Sequence, residues 1–182
     1  MRTTICLALT LTLGVAAALG QSNGSPYAGQ EKQPIRALSE GEIAAYLDGQ
    51  GMGLAKAAEL NEYPGPKHVL EMTEQLQLSE AQKSDTQKVY DRMRGEATRL
   101  GKLIVDMETH LDSLFASKSV DSKKLRAMTA EIARLQGELR AVHLDAHIAM
   151  RHLLTQQQVE KYVALRGYGR TDQPDPNKGH KH

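Results

Sequence analysis

The sequence predicts an all-α protein: a long antiparallel helical hairpin with short N-terminal helices and a short C-terminal helix. Three observations carry this prediction. Two apolar stripes of matched length recur at heptad spacing, a short polar stretch separates them, and one short capping pattern stands at each foot. The first stripe is Val89, Met93, Ala97, Leu100, Ile104, Met107, Leu111 and Leu114. The second is Leu125, Met128, Ile132, Leu135, Leu139, Val142, Ala146, Met150 and Leu153. Alternating steps of three and four keep each stripe on one face of a helix. Ala116 to Asp121 breaks the pattern with small and polar residues, and Asp121 can cap the second arm. Each arm is about 35 residues, roughly 50 Å at the helical rise.

The other elements follow in chain order. Residues 1–20 read as a cleavable signal peptide. Met1-Arg2-Thr3-Thr4 is a positive n-region, Ile5 to Ala18 is an apolar stretch, and Ala18-Leu19-Gly20 offers small residues for cleavage before Gln21. An uncleaved anchor is the alternative, but the apolar run is short and holds Thr10, Thr12 and Gly14. Cys6 lies too early in that run to be a lipidated cysteine. Residues 21–38 lack apolar period and read as a disordered leader. Ser39 with Glu42 matches a capping box for a helix over Glu40 to Leu47. The glycines of 48–53 break that helix. A short amphipathic segment spans Leu54 to Leu60, Asn61 to Pro66 reads as a turn, and Pro66 opens a helix ending near Leu76. The helical domain therefore covers 39–166, closing with a helix over Gln156 to Leu165. Residues 167–182 read as a flexible tail containing His180 and His182.

Composition narrows the function. Arg2 is the only charge in residues 1–20, so the expected mature chain carries 22 basic and 22 acidic residues. Zero net charge argues against nucleic-acid binding. Cys6 is the only cysteine, so the mature chain has no thiol for disulfides or metal ligation. With no Trp and one Phe, the core must be aliphatic and methionine-rich. A hairpin alone leaves apolar faces uncovered, so the short helices or a second subunit must cover them, and a homodimer is expected. No phosphate loop, serine elbow or paired carboxylates mark an enzyme.

The two feet carry the most informative pattern. Leu78-Ser79-Glu80-Ala81-Gln82 and Leu154-Thr155-Gln156-Gln157-Gln158 each place a hydroxyl at the N-cap and a glutamine three residues on. In the second copy, Leu154 and Val159 also fit a hydrophobic staple. With its export signal, this pair of Leu-Thr-x-x-Gln-like boxes resembles the Spy/CpxP group of periplasmic proteins, whose relatives include ZraP-type and CnrX-type heavy-metal-responsive proteins. The resemblance covers roughly Lys67 to Tyr168, and Ser79 stands where the pattern has threonine. It implies a curved helical dimer in the bacterial periplasm, and the cleavable signal leaves no stable membrane insertion expected after cleavage. It also implies one of three activities: ATP-independent holding of unfolded client proteins, restraint of a membrane sensor protein, or metal sensing. The better chaperones of the group have strongly basic cradles. Here Glu80 to His152 holds 13 Lys/Arg against 11 Asp/Glu, a mild excess.

No cofactor is required by this reading, but a divalent transition metal (Zn, Cu, Ni or Co) has candidate ligands. His143 and His147 are four apart, a spacing that lets two imidazoles share one ion. His68 and Met72 are four apart on the helix opened by Pro66, and Met150 follows on the second arm. His68, His143 and His147, with Met72 or Met150 as a soft ligand, form the candidate site. A CnrX-type His-x-x-x-Met pair is not reproduced, since Ala146 precedes Met150 by four. The plainer reading makes His143 and His147 rim residues facing water, His68 a surface residue, and the methionines packing residues.

Overall fold

A computed structural model describes residues 25–168. The signal-peptide reading of 1–20 and the tail histidines His180 and His182 lie outside the described residues. All regular structure among the described residues is helical. After a 3-10 turn at Gln30–Lys32 come α1 (Glu40–Leu47), α2 (Lys56–Glu59), α3 (Pro66–Glu71), α4 (Glu80–Ala116), α5 (Ser122–Leu153) and α6 (Gln156–Leu165). Among the described residues no helix is long and apolar enough to cross a membrane.

The two long helices pack together. Ala97, Leu100 and Ile104 of α4 meet Leu135 and Leu139 of α5, and Tyr46, Leu54, Met107 and Val142 flank them. A second apolar cluster joins Val69, Leu76 and Leu78 to Met150, Leu154, Val159 and Tyr162. Both stripes therefore face inward. Burying such aliphatic side chains contributes about 1.5–3 kcal/mol each.

Local chemistry sets the helix ends. Ser39, Ser79 and Thr155 each form a complete capping box, and Asp121 accepts from the amides of Lys123 and Lys124. At four other turns the chain closes by paired backbone bonds of the Schellman kind, with Gly49, Gln77, Lys118 and Gly167 at positive φ. One of these corrects an expectation. The helix opened by Pro66 stops at Glu71 rather than near Leu76, because 73–77 forms a separate turn. There the Leu78 amide donates to the Thr73 carbonyl at 3.1 Å and Gln77 takes φ 51°. The reversal lets Leu76 and Leu78 both enter the apolar cluster.

The leader reading of 21–38 also needs correction at its end. Ile35 and Leu38 are buried, and Arg36 pairs with Asp112 of α4 at 2.7 Å. Packing of the body thus begins before the Ser39 cap. α1 then lies against α4 at a glycine notch. A Cβ on Gly101 would stand 2.0 Å from the carbonyl oxygen of Tyr46, and one on Gly49 2.8 Å from the Thr98 hydroxyl.

Gly101→Ala forces α1 off α4, so it should destabilise by about 1–3 kcal/mol despite the better helix propensity of alanine. Gly95→Ala, in the same helix with open space around it, should instead stabilise by about 0.5–1 kcal/mol. Urea denaturation of the two variants beside the parent chain checks both signs.

Candidate functional site

The two boxes meet. Gln82 and Gln158 face each other as a reciprocal amide pair. Gln82 Nε2 donates to Gln158 Oε1 at 2.8 Å, and Gln158 Nε2 donates to Gln82 Oε1 at 3.0 Å. Each Oε1 also accepts from its own N-cap amide, Ser79 at 3.1 Å and Thr155 at 3.0 Å. Each Nε2 directs its second proton to a carbonyl beside the other box, Leu153 at 3.3 Å and Leu76 at 3.2 Å. Leu78 and Leu154 are buried in the shared apolar cluster, as is the staple residue Val159. Each specified position of the pattern therefore acts in its own way. The leucine packs, the hydroxyl caps, and the glutamine both caps and clasps. Glutamate would complete a capping box but supplies no donor for the clasp.

Beside this base lies a cleft of about 800 Å³. Its walls come from the glycine loop of 48–53, α2, the start of α3, one side of α4, one side of α5 and the chain just after α6. His68, His143 and His147 all line it. The sequence reading grouped these three in one candidate site, and the structure brings them to one cavity. Their surroundings differ from the rim reading. His143 is only 3% exposed and His147 8%, because the glycine loop and the Tyr63–Pro66 turn roof α5. Gly65 is needed for that roof, since a Cβ there would press 3.0 Å from the His147 ring. His68 is partly exposed, and its Nδ1 lies 2.8 Å from Glu71 Oε2.

The two buried imidazoles are held differently. His147 Nδ1 is 2.7 Å from the Tyr63 carbonyl. A carbonyl only accepts, so Nδ1 carries a proton. His143 Nε2 is buried without a partner. Burial, and then the neighbouring His147, hold His143 below the ordinary imidazole range.

Glu59 organises the far wall, a role nothing in its sequence neighbourhood signals. Its Oε1 accepts from Tyr162 Oη at 2.6 Å, Tyr168 Oη at 3.0 Å and Arg166 Nε at 3.1 Å. Its Oε2 stands 3.7 Å from His147 Nδ1. Tyr162 in turn accepts from the Gly65 amide at 3.2 Å. Burial first, and the Glu59 carboxylate second, raise the Tyr162 phenol above its ordinary range. One network thus ties α2, the α3 turn and the end of α6 together.

The candidate ligand set is not assembled as a whole. Met150 is fully buried in the apolar cluster and Met72 packs against it. Neither lines the cleft that holds the histidines. Among the described residues no three His, Cys, Asp or Glu groups come together as a metal-binding cluster. The three histidines therefore share the cleft without Met72 or Met150.

Fold and site together define a helical protein with a clasped base and a histidine-floored cleft of mixed polar and apolar lining. Comparison with protein-family models, curated protein sequences and solved structures returns no match.

Gln158→Glu keeps the cap of α6 but turns two carbonyl-type oxygens toward each other, so it should destabilise by about 1–3 kcal/mol. Combined with Gln82→Ala, the two losses should fall short of additivity by about 0.5 kcal/mol or more, measured by a double-mutant denaturation cycle. For His143, the folded imidazole resists a proton that the unfolded one accepts near 6.5. Its contribution is then complete above that pH and is lost as pH falls below it. Urea midpoints between pH 8 and pH 5 should decline on the acid side, with a shallower decline in His143→Leu.

Proposed function

We propose that this chain is a periplasmic envelope-stress protein of Spy/CpxP type that binds unfolded or misfolded client proteins without ATP. In this reading α4 and α5 form an antiparallel hairpin, and two copies pair as a curved homodimer. The observation that carries the proposal is the clasp between the Leu-Ser-x-x-Gln and Leu-Thr-x-x-Gln boxes. It gives the repeated pattern a single structural purpose, and that pattern is the basis of the family resemblance. The cap alone would be satisfied by many sequences, whereas the reciprocal amide pair requires glutamine at both feet.

Client binding is supported by the surface. Leu103, Phe115, Ile148 and Leu165 are each about 40–55% exposed, on helices that also present lysine, arginine, aspartate and glutamate. Mixed apolar and charged surface adapts to many clients, each held weakly. Metal sensing is a second reading, favoured by the convergence of His68, His143 and His147 on one cleft. In that reading the bound ion would alter the hold of α2 and α3 on α5 and so change what a membrane sensor protein meets.

One preparation separates the readings. The purified mature chain should suppress aggregation of a denatured test protein, followed by light scattering, at roughly stoichiometric amounts. Full aggregation at that ratio would remove the holding activity. Calorimetric titration with zinc, copper, nickel and cobalt forms the second arm. Heat that persists after deletion of residues 169–182 supports the metal reading, and its absence removes it.

A further inference from the structure

The cleft has a charge imbalance that neither client holding nor metal binding uses. Its lining includes Lys56, Lys67, Arg94 and Arg166 against two acids, Asp48 and Glu59. Glu59 is already satisfied by Arg166 and the hydroxyls of Tyr162 and Tyr168. Lys67 reaches Glu71 at 4.0 Å. Lys56 and Arg94 have no side-chain hydrogen bond or ion pair among the described residues. Two cations from different elements, α2 and α4, therefore border the same cavity without an ion-pair partner among the described residues.

The same cavity is lined by Met52, Leu60, Met93 and Tyr90. Its volume, about 800 Å³, lies within the range of small-molecule sites. A wholly apolar ligand would leave the two cations unanswered. A small inorganic anion would leave the methionines and the tyrosine ring in contact with water. A molecule with an anionic head and an apolar body answers both halves of the lining. Arg94 suits the head best, because its planar guanidinium presents paired donors to a carboxylate, sulfonate or phosphate.

We propose that this cleft is a binding site for a small amphipathic organic anion, with Arg94 and Lys56 receiving its charged head and Met52, Leu60, Met93 and Tyr90 its apolar body. The site is separate from the exposed helix faces assigned to clients, so its occupancy and the holding activity are independently measurable.

The probe is 8-anilinonaphthalene-1-sulfonate, an aromatic anion of suitable size, titrated by fluorescence into the full chain. The uncharged N-phenyl-1-naphthylamine, with nearly the same apolar body, is titrated alongside. The anion should bind saturably, and Lys56→Glu combined with Arg94→Glu should weaken it by about tenfold or more. Lys123→Glu combined with Arg126→Glu, at the start of α5 and away from the cleft, should leave it unchanged. Circular dichroism confirms that each variant is folded. If the glutamate pair does not fold, Lys56→Gln with Arg94→Gln replaces it, with weakening of about threefold or more expected. The proposal is overturned by absent saturable binding, by equal binding to the folded cleft variant, or by the neutral dye binding as tightly as the anion. Loss of aggregation suppression leaves this outcome untouched, because the titration contains no client protein.

Discussion

The reciprocal bond between Gln82 and Gln158 is the constraint on which the base of the molecule depends. An amide side chain is both donor and acceptor, so each glutamine closes the first turn of its own helix and reaches the other helix as well. The pair sits where α4 begins, where α5 ends and where α6 begins. Its outer protons go to the carbonyls of Leu76 and Leu153. The segment after α3 and the end of α5 are thus registered by the same contact. Beside it Leu78, Met150, Leu154 and Val159 are buried, and the lower local dielectric strengthens the partly buried polar contact. Apolar packing and hydrogen bonding here reinforce each other.

From this base the cleft inherits its shape. Tyr162 belongs to the apolar cluster by its ring and to the Glu59 network by its hydroxyl. Through that residue the position of α6 is transmitted to α2 and to the Gly65 turn. The carboxylate of Glu59 is largely withdrawn from solvent, a costly placement without compensation. Three donors on one oxygen offset that cost. His143 lacks such compensation at Nε2 and is retained as a neutral ring. The cleft therefore combines one fully satisfied polar centre with one imidazole nitrogen left without a partner, on the same floor. Charging that buried imidazole is opposed by desolvation.

Periodic and local features were legible in advance. The capping boxes at Ser39, Ser79 and Thr155, the cap at Asp121, and the limits of α1 and α6 follow from bonds made within a few residues of chain. The two inward stripes follow from helical period. Less was legible at the site. His143 and His147 lie beside the stripe, and whether such positions meet water depends on what covers them. The covering element is a glycine loop from far earlier in the chain. Met72 and Met150 share spacing with histidines, yet apolar packing claimed both. Glu59 has no local signature, because its partners lie more than a hundred residues away.

The amino-acid order by itself determined that the chain is helical, where most helices start and stop, and which faces turn inward. These outcomes rest on backbone bonds, caps and a 3.6-residue period, all short-range. Only the tertiary structure decided that the two boxes clasp, that His143 and His147 are buried under a roof, and that two cations without an ion pair among the described residues border a partly apolar cleft. Those outcomes depend on side chains brought together across long stretches of chain, where no periodic pattern records who meets whom.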